Sequence, residues 1–288
     1  MEQRNTGCWT AKHEIPVALT VAGSDSGGGA GIQADLRTFS ALGVFGASAI
    51  TAVTSQNPAE VTRVDGLPPE GVVSQIETVF RKLKIRAVKT GMLFSAEIIE
   101  NVAAALTKKD CPIIVDPVMI STSGSKLLKD DALVMLQEKI LPLASWITPN
   151  SPEAELISGM TIRSMEDAVS AAKKIGEKWG CGVILKGGHA QGDNEAADVI
   201  CSGEKLFKLS TQRLALPPFA AHGTGCTLSS AIAACLARGM KDLEAIIEAK
   251  AFVLGSLQEA RAIGDGVFGM FPPADLEKYK KLILIGQV

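Results

Sequence analysis

Residues 17–43 read VALTVAGSDSGGGAGIQADLRTFSALG, and the succession of residue types in this stretch decides the fold. Val17 to Ala22 is a short continuous apolar run, the composition of a strand covered on both faces. Gly23-Ser24-Asp25-Ser26 turns the chain, and Gly27-Gly28-Gly29-Ala30-Gly31 leads into a helical pattern from Ala30 to Leu42 that Gly43 stops. Strand, glycine turn and helix make up most of a βαβ unit, and the rest of the chain repeats the alternation. Ala47–Val53 is a second apolar, β-branched run. Short strands follow at Ala87–Lys89, Ile113–Asp116, Trp146–Thr148 and Val183–Lys186. Helical patterns occupy Pro69–Lys82, Ala96–Lys108, Asp131–Ile140, Met165–Trp179, Thr227–Arg238 and Leu243–Ala262. The expectation is an α/β fold with a central, mostly parallel sheet and helices on both faces. No stretch has the composition of a linker, and there is no internal repeat. Residues 16–288 are therefore expected to form a single domain behind a loosely ordered extension, residues 1–15.

Composition narrows the function. Hydrophobic residues make up 47% of the 288, ample for a large core, while aromatics at 5% point to aliphatic packing. A net charge of -2 with both signs scattered offers no field for a polyanion, so nucleic acid is not an expected partner. No apolar run approaches a membrane span, and Met1–Pro16 lacks the apolar centre of a signal peptide, so a cytoplasmic protein is expected. The six cysteines show no framework spacing and the three histidines lie far apart, which argues against a disulfide scaffold and a zinc site.

In open α/β sheets chemistry collects beyond the carboxyl ends of the strands. Gly29, Gly31 and Ala34 match a dinucleotide-binding pattern, but the next strand ends in Thr54-Ser55-Gln56-Asn57 and supplies no acid for a ribose. No Gly-Lys-Ser/Thr follows the glycines, so this is not a Walker-type phosphate loop. Glycines here either let backbone approach a ligand or simply tighten the turn.

The sharpest segment is His222-Gly223-Thr224-Gly225-Cys226-Thr227-Leu228-Ser229. Gly223, Thr224 and Gly225 leading into a helix offer consecutive N–H groups as an anion hole. Cys226 at the helix start is expected to have a depressed pKa and so to act as a base; the plain alternative is a small residue packed behind a glycine turn. An anion hole beside a base suits phosphoryl transfer to an alcohol. Asp116, fixed before Pro117, is expected to project into the cleft, and Glu153 follows Pro149-Asn150 in a first helical turn. Two such acids suit Mg²⁺, although Glu153 equally suits a helix dipole. Lys186, before a double glycine, either reaches a phosphate or ends a solvated strand.

Together these segments resemble the hydroxymethylpyrimidine/phosphomethylpyrimidine kinases of thiamin biosynthesis, which have the ribokinase-like fold. The likeness runs from about Val17 to about Ala262. It rests on AGSDSGGGAGIQADL (22–36), TFSALG (38–43), QN (56–57), KTGML (89–93), DPVM (116–119), TPNxxE (148–153), KGGH (186–189) and HGTGCTLS (222–229). The resemblance implies ATP-dependent phosphorylation of 4-amino-5-hydroxymethyl-2-methylpyrimidine and of its monophosphate. It implies that Gly23, Asp35, Gln56, Met92 and Val118 line the pyrimidine pocket and that Cys226 faces the hydroxymethyl group. It further implies that Asn150, Lys186 and Thr224 serve ATP, that Asp116 and Glu153 hold Mg²⁺, that Ser121–Ser125 is a flap, and that the protein is a homodimer. In place of the family's Asn-Thr before HGTGC stand Ala220-Ala221, and GDGVFGMFPP (264–273) replaces its GPVNH-like stretch. A pyridoxal or pyridoxine kinase of the same lineage, and a pyrimidine-binding protein with poor catalysis, are the competing readings.

Overall fold

The computed structural model describes residues 14–119, 130–187 and 194–288. Most of the expected N-terminal extension, the Ser121–Ser125 flap, and Gly188 and His189 of the KGGH segment lie outside the described residues. Twelve strands and nine α-helices follow one another as β1 (Val17–Asp25), α1 (Gly31–Ala41), β2 (Phe45–Gln56), β3 (Val61–Gly66), α2 (Pro69–Lys82), β4 (Ile85–Thr90), α3 (Ala96–Leu106), β5 (Ile113–Val115), α4 (Asp130–Met135), β6 (Trp146–Ile147), α5 (Ser151–Ser158), α6 (Met165–Trp179), β7 (Gly182–Leu185), β8 (Glu195–Ser202), β9 (Lys205–Gln212), α7 (Thr224–Ala237), α8 (Asp242–Gln258), β10 (Arg261–Gly264), β11 (Val267–Gly269), α9 (Leu276–Lys280) and β12 (Leu284–Gly286), all counted among the described residues.

Ten of the strands form one sheet in the order β12-β9-β8-β7-β6-β5-β4-β1-β2-β3. The six from β2 to β7 in that row run parallel, and β3, β8, β9 and β12 add antiparallel margins. The parallel strands are buried on both sides, which is why their sequences are unbroken apolar runs. Alternate residues still go to opposite faces. Ile113 and Val115 join the core under α2, α3 and α6, while Ile114 joins the core under α1, α7 and α8. Helix α7 is buried almost all round, from Thr227 to Cys235, and its run of Ala and Ser is what lets it pack so close to the sheet.

Strands β1 and β2 lead to one side of the sheet, and β4 returns to the other side of β1. That reversal opens a crevice beyond the carboxyl ends of β1 and β4, the place where such sheets bind ligands.

Three expectations are corrected. The final long helix stops at Gln258, and Arg261–Gly264 turns back on Val267–Gly269 as a hairpin; Asp265-Gly266, with Gly266 at φ +69°, is the turn signal. The helix read from Thr227 begins at Thr224, because Gly223 takes the N-cap position at φ +84°. The segment read as one helix to Ile140 widens after α4 into a π turn and then tightens into a 3₁₀ turn. Strands β3, β8 and β9 were not legible as apolar runs; they are half-exposed at the margins, and β8 and β9 are joined by a two-residue turn at Gly203-Glu204.

Candidate active site

The start of α7 lies at this crevice, and its position follows from glycine packing. A side chain on Gly223 would collide with the Gly29 carbonyl, and one on Gly29 would collide with the His222 ring. The two glycine loops are therefore pressed together, and the absent side chains serve that contact. The carboxylate of Asp25 organises the first loop, accepting from the N–H groups of Gly27 and Ala30 at 2.8 Å each and lying 3.0 Å from Nε2 of His222. Burial pushes the Asp25 carboxyl up, but His222 and the two amides outweigh it and hold it below its usual value.

The first turn of α7 leaves the N–H groups of Gly225 and Cys226 without a backbone acceptor among the described residues, while Thr224 N–H reaches the Ala221 carbonyl at 3.3 Å. The Thr224 hydroxyl donates to that same carbonyl at 3.0 Å. Beside this turn lies Lys186, which follows the end of β7. A carbon added to Gly225 would sit 3.2 Å from Lys186 Nζ and 3.6 Å from Asp116 Oδ2. Lys186 donates to Asp116 Oδ1 at 2.9 Å, Thr148 donates to the same oxygen at 3.2 Å, and the Ser229 hydroxyl lies 3.3 Å from Oδ2. Burial pushes Asp116 up, but Lys186 and Lys89 overcome it and keep the carboxyl below its usual value.

Glu153 takes part in a capping box: its N–H donates to Asn150 Oδ1 at 2.9 Å and its Oε2 accepts from Asn150 N–H at 2.8 Å. Burial pushes the Glu153 carboxyl up to about 7, with Lys186 opposing and Asp116 adding to the rise. Asn150 and Glu153 thus build the helix start, and Glu153 also shares the field of Lys186 with Asp116. Among the described residues no three His, Cys, Asp or Glu side chains gather as a metal cage. Two carboxylates near one lysine do fit Mg²⁺, which takes one or two protein oxygens and completes its shell with phosphate and water.

On the other side of Cys226, the expected pocket residue Asp35 requires correction. It is 0% exposed, and its oxygens receive Lys89 at 2.8 and 3.0 Å, Thr20 at 2.6 Å and Ser230 at 2.5 Å. A carboxylate so enclosed and so fully bonded lies beneath the crevice and does not line it. Lys89, which sequence reading passed over, is its counter-ion and is also 0% exposed. The signal was present: a lysine inside a strand buried on both faces demands a buried partner.

The remaining expected residues surround the crevice. The Met92 side chain fills the place a side chain on Gly23 would need, and the Met92 carbonyl accepts from Thr51 at 2.7 Å. Val118 is half-buried and follows Asp116 in a tight turn, its N–H donating to the Asp116 carbonyl at 2.8 Å. Gln56 is half-buried, with Oε1 3.2 Å from the Thr54 hydroxyl and Nε2 3.4 Å from His222 Nε2.

The expectation of a depressed Cys226 pKa is also corrected. Burial pushes the thiol of half-buried Cys226 up to about 11; Lys89 and the Gly31 N–H favour the thiolate, but Asp35 and Asp116 oppose it. The helix dipole is outweighed by two carboxylates and the loss of water. The two departures from the family pattern prove to be neighbours in space. Ala221 gives its carbonyl to Thr224, and the β10–β11 hairpin rests on the preceding turn, Phe268 N–H donating to the Pro218 carbonyl at 3.3 Å.

Residues 25–270 match the family model described as phosphomethylpyrimidine kinase. The chain is 46% identical over 252 residues to the hydroxymethylpyrimidine/phosphomethylpyrimidine kinase of Synechococcus elongatus, covering 88% of this chain and 95% of that one. Among solved structures it is similar to the pyridoxal kinase of Staphylococcus aureus in complex with pyridoxal, with a TM-score of 0.83 at 32% identity over 96% of this chain and 100% of that one. It is also similar to the phosphomethylpyrimidine kinase of Clostridium difficile, with a TM-score of 0.73 at 42% identity over 83% and 97% of the two chains. Backbone likeness is thus higher to the former and sequence likeness to the latter.

Proposed function

Because this chain belongs to the phosphomethylpyrimidine kinase family, we propose that its crevice transfers the γ-phosphoryl group of ATP to the hydroxymethyl oxygen of 4-amino-5-hydroxymethyl-2-methylpyrimidine, and to the phosphate of its monophosphate. The chain is an ATP-dependent kinase of thiamin biosynthesis. One observation carries the reading of the site: the first turn of α7, with its free amides, lies beside Lys186 and Asp116, so close that a side-chain carbon on Gly225 would sit 3.2 Å from the Lys186 ammonium. Unpaired amides and an ammonium close together suit a phosphoryl group in transfer.

In this reading Gly223 to Cys226 receive the charge on the transferring group, and Lys186 with Thr224 and Asn150 binds the ATP phosphates. Asp116 and Glu153 would hold Mg²⁺, whose chemistry there is to neutralise charge on the phosphates. Cys226 takes the hydroxyl proton as the oxygen–phosphorus bond forms and the bond to ADP breaks. At about 11 the ligand-free thiol is protonated at neutral pH, so the thiolate must form before it can accept a proton, and Lys89 beneath it favours that form. Gly23, Gln56, Met92 and Val118 line the pyrimidine side. Gln56 matches the amino donor and ring-nitrogen acceptor of an aminopyrimidine as a paired acceptor and donor, a pattern that pyridoxine does not present.

A homodimer and a cytoplasmic location accord with the family likeness, and residues 16–288 acting as one domain accords with the single ten-stranded sheet. Sedimentation and limited proteolysis test the assembly and the domain. The test of function is ADP release with the pyrimidine alcohol, its monophosphate, pyridoxal and pyridoxine as acceptors. The pyrimidines are expected to give the higher kcat/KM; higher values for pyridoxal would replace the substrate while leaving the kinase reading in place.

A further inference from the structure

Lys250 and Asp198 form a buried ion pair that none of the proposed chemistry uses. Lys250 lies in the middle of α8, among Ala249, Ala251 and Phe252 of the core, and is 8% exposed; Asp198 lies in β8 and is 6% exposed. Lys250 Nζ donates to Asp198 Oδ2 at 2.7 Å. Two buried charges cost more in lost hydration than a well-packed apolar pair of the same size, so stability alone does not account for them.

The other carboxylate oxygen has a partner that suggests the reason. Gly187 N–H donates to Asp198 Oδ1 at 3.1 Å. Strands β7 and β8 pair through Val183↔Cys201, Ile184↔Ile200 and Leu185↔Val199, and there the ladder ends. At the next residue the N–H of Lys186, like that of Gly182, points to the β6 side, donating to the Pro149 carbonyl at 2.8 Å as Lys186 bridges to Asn150, while the alternating Gly187 N–H is turned to the β8 side. Gly187 N–H thus loses its ladder position, and the Asp198 side chain accepts from it instead. The fit is close, since a side chain on Gly187 would strike the carbonyl of Ala197, next to Asp198.

We propose that Asp198, neutralised by Lys250, is a positioning residue that fixes the Lys186-Gly187 turn and so aims the Lys186 ammonium at the ATP phosphates. The inference rests on Lys186 serving ATP. Asp198 itself touches no substrate; it acts through one amide.

Two double variants separate positioning from mere stability, because both remove the buried charges. Asp198→Asn with Lys250→Met keeps an oxygen for Gly187 N–H, whereas Asp198→Val with Lys250→Met does not. The first is expected to keep the ATP KM within about twofold of the parent protein, and the second to raise it about tenfold with the pyrimidine KM unchanged. Equal ATP KM values in the two overturn the proposal. Should the valine variant fail to fold, hydrogen exchange in the unaltered protein decides: slow exchange at the Gly187 amide supports the proposal, and exchange as fast as an open loop overturns it. Lys186→Met distinguishes the two levels of failure. If its ATP KM is unchanged, the premise about Lys186 falls; if its ATP KM rises and that of the valine variant does not, the positioning role alone falls.

Discussion

Two lysine–carboxylate pairs flank Cys226, and they are made of the same groups at nearly the same distance. Lys89 and Asp35 meet at 2.8 Å with both side chains 0% exposed, while Lys186 and Asp116 meet at 2.9 Å with the lysine 15% exposed. The first pair is closed off by the hydroxyls of Thr20 and Ser230 and ties β1, β4, α1 and α7 together. The second lies beside the first turn of α7 and is partly open to solvent, and its lysine also feels Glu153. Chemical identity therefore does not decide the role of an ion pair. Enclosure does: a sealed pair has nothing left to offer a ligand, and an open one can exchange its partner for a phosphate.

The sealed pair should give the largest effect. Lys89→Met leaves Asp35 charged and buried, which is expected to cost about 3–5 kcal/mol of unfolding free energy in urea titration, and Lys89→Met with Asp35→Leu should recover most of that loss. A single variant as stable as the parent would mean that the pair is not sealed in solution.

Glu153 sharpens the open side through pH. Its folded carboxyl is raised to about 7 against an ordinary value of 4.5, so the unfolded chain gives up this proton more readily. Stability is therefore expected to fall as pH rises from about 4.5 to about 7 and then to level off, by on the order of 3 kcal/mol for this group. Glu153→Gln keeps the cap and should flatten that slope; an equal slope in the variant would break the account.

Cys226→Ala should lower kcat about 10²-fold, the lower end for a general base, because the thiol enters protonated. Raising the pH toward 11 increases the thiolate, so the parent rate should climb between pH 7 and 9 and the variant rate should not. A parallel climb in both would remove Cys226 from the proton path.

The smallest expected effect is at Gln56. Gln56→Leu should weaken the pyrimidine by about 1–2 kcal/mol in calorimetry and leave ATP unchanged. Loss of both ligands together would make Gln56 a prop for the loop around His222.

The legible parts of the molecule were those with a strong local cause. The parallel strands announce themselves as unbroken apolar runs because both faces are covered, and Gly223, Asp116 and Lys186 stand at strand or helix ends that the sequence marks with Gly or Pro. What stayed hidden depended on partners distant in sequence. Asp35 was placed in the pocket by the family resemblance alone, and only its contacts with Lys89 and Ser230, the latter 195 residues away, show that it is sealed. The Cys226 pKa failed for the same reason: the helix end is local, whereas Asp35, Asp116 and the enclosing walls are not. Likewise Gly29 could be read as facing a ligand or as tightening its turn, and Gly223 as part of an anion hole, but each makes room for the other's loop.

The central claim is that the open pair works and the sealed pair builds, and binding of a non-hydrolysable ATP analogue to Lys186→Met tests it most directly. Removing a charged donor to phosphate should weaken the analogue about ten- to a hundredfold in calorimetry, while the urea midpoint falls far less than in Lys89→Met. Unchanged affinity together with a stability loss equal to that of Lys89→Met would make Lys186–Asp116 a second sealed pair and would contradict the account.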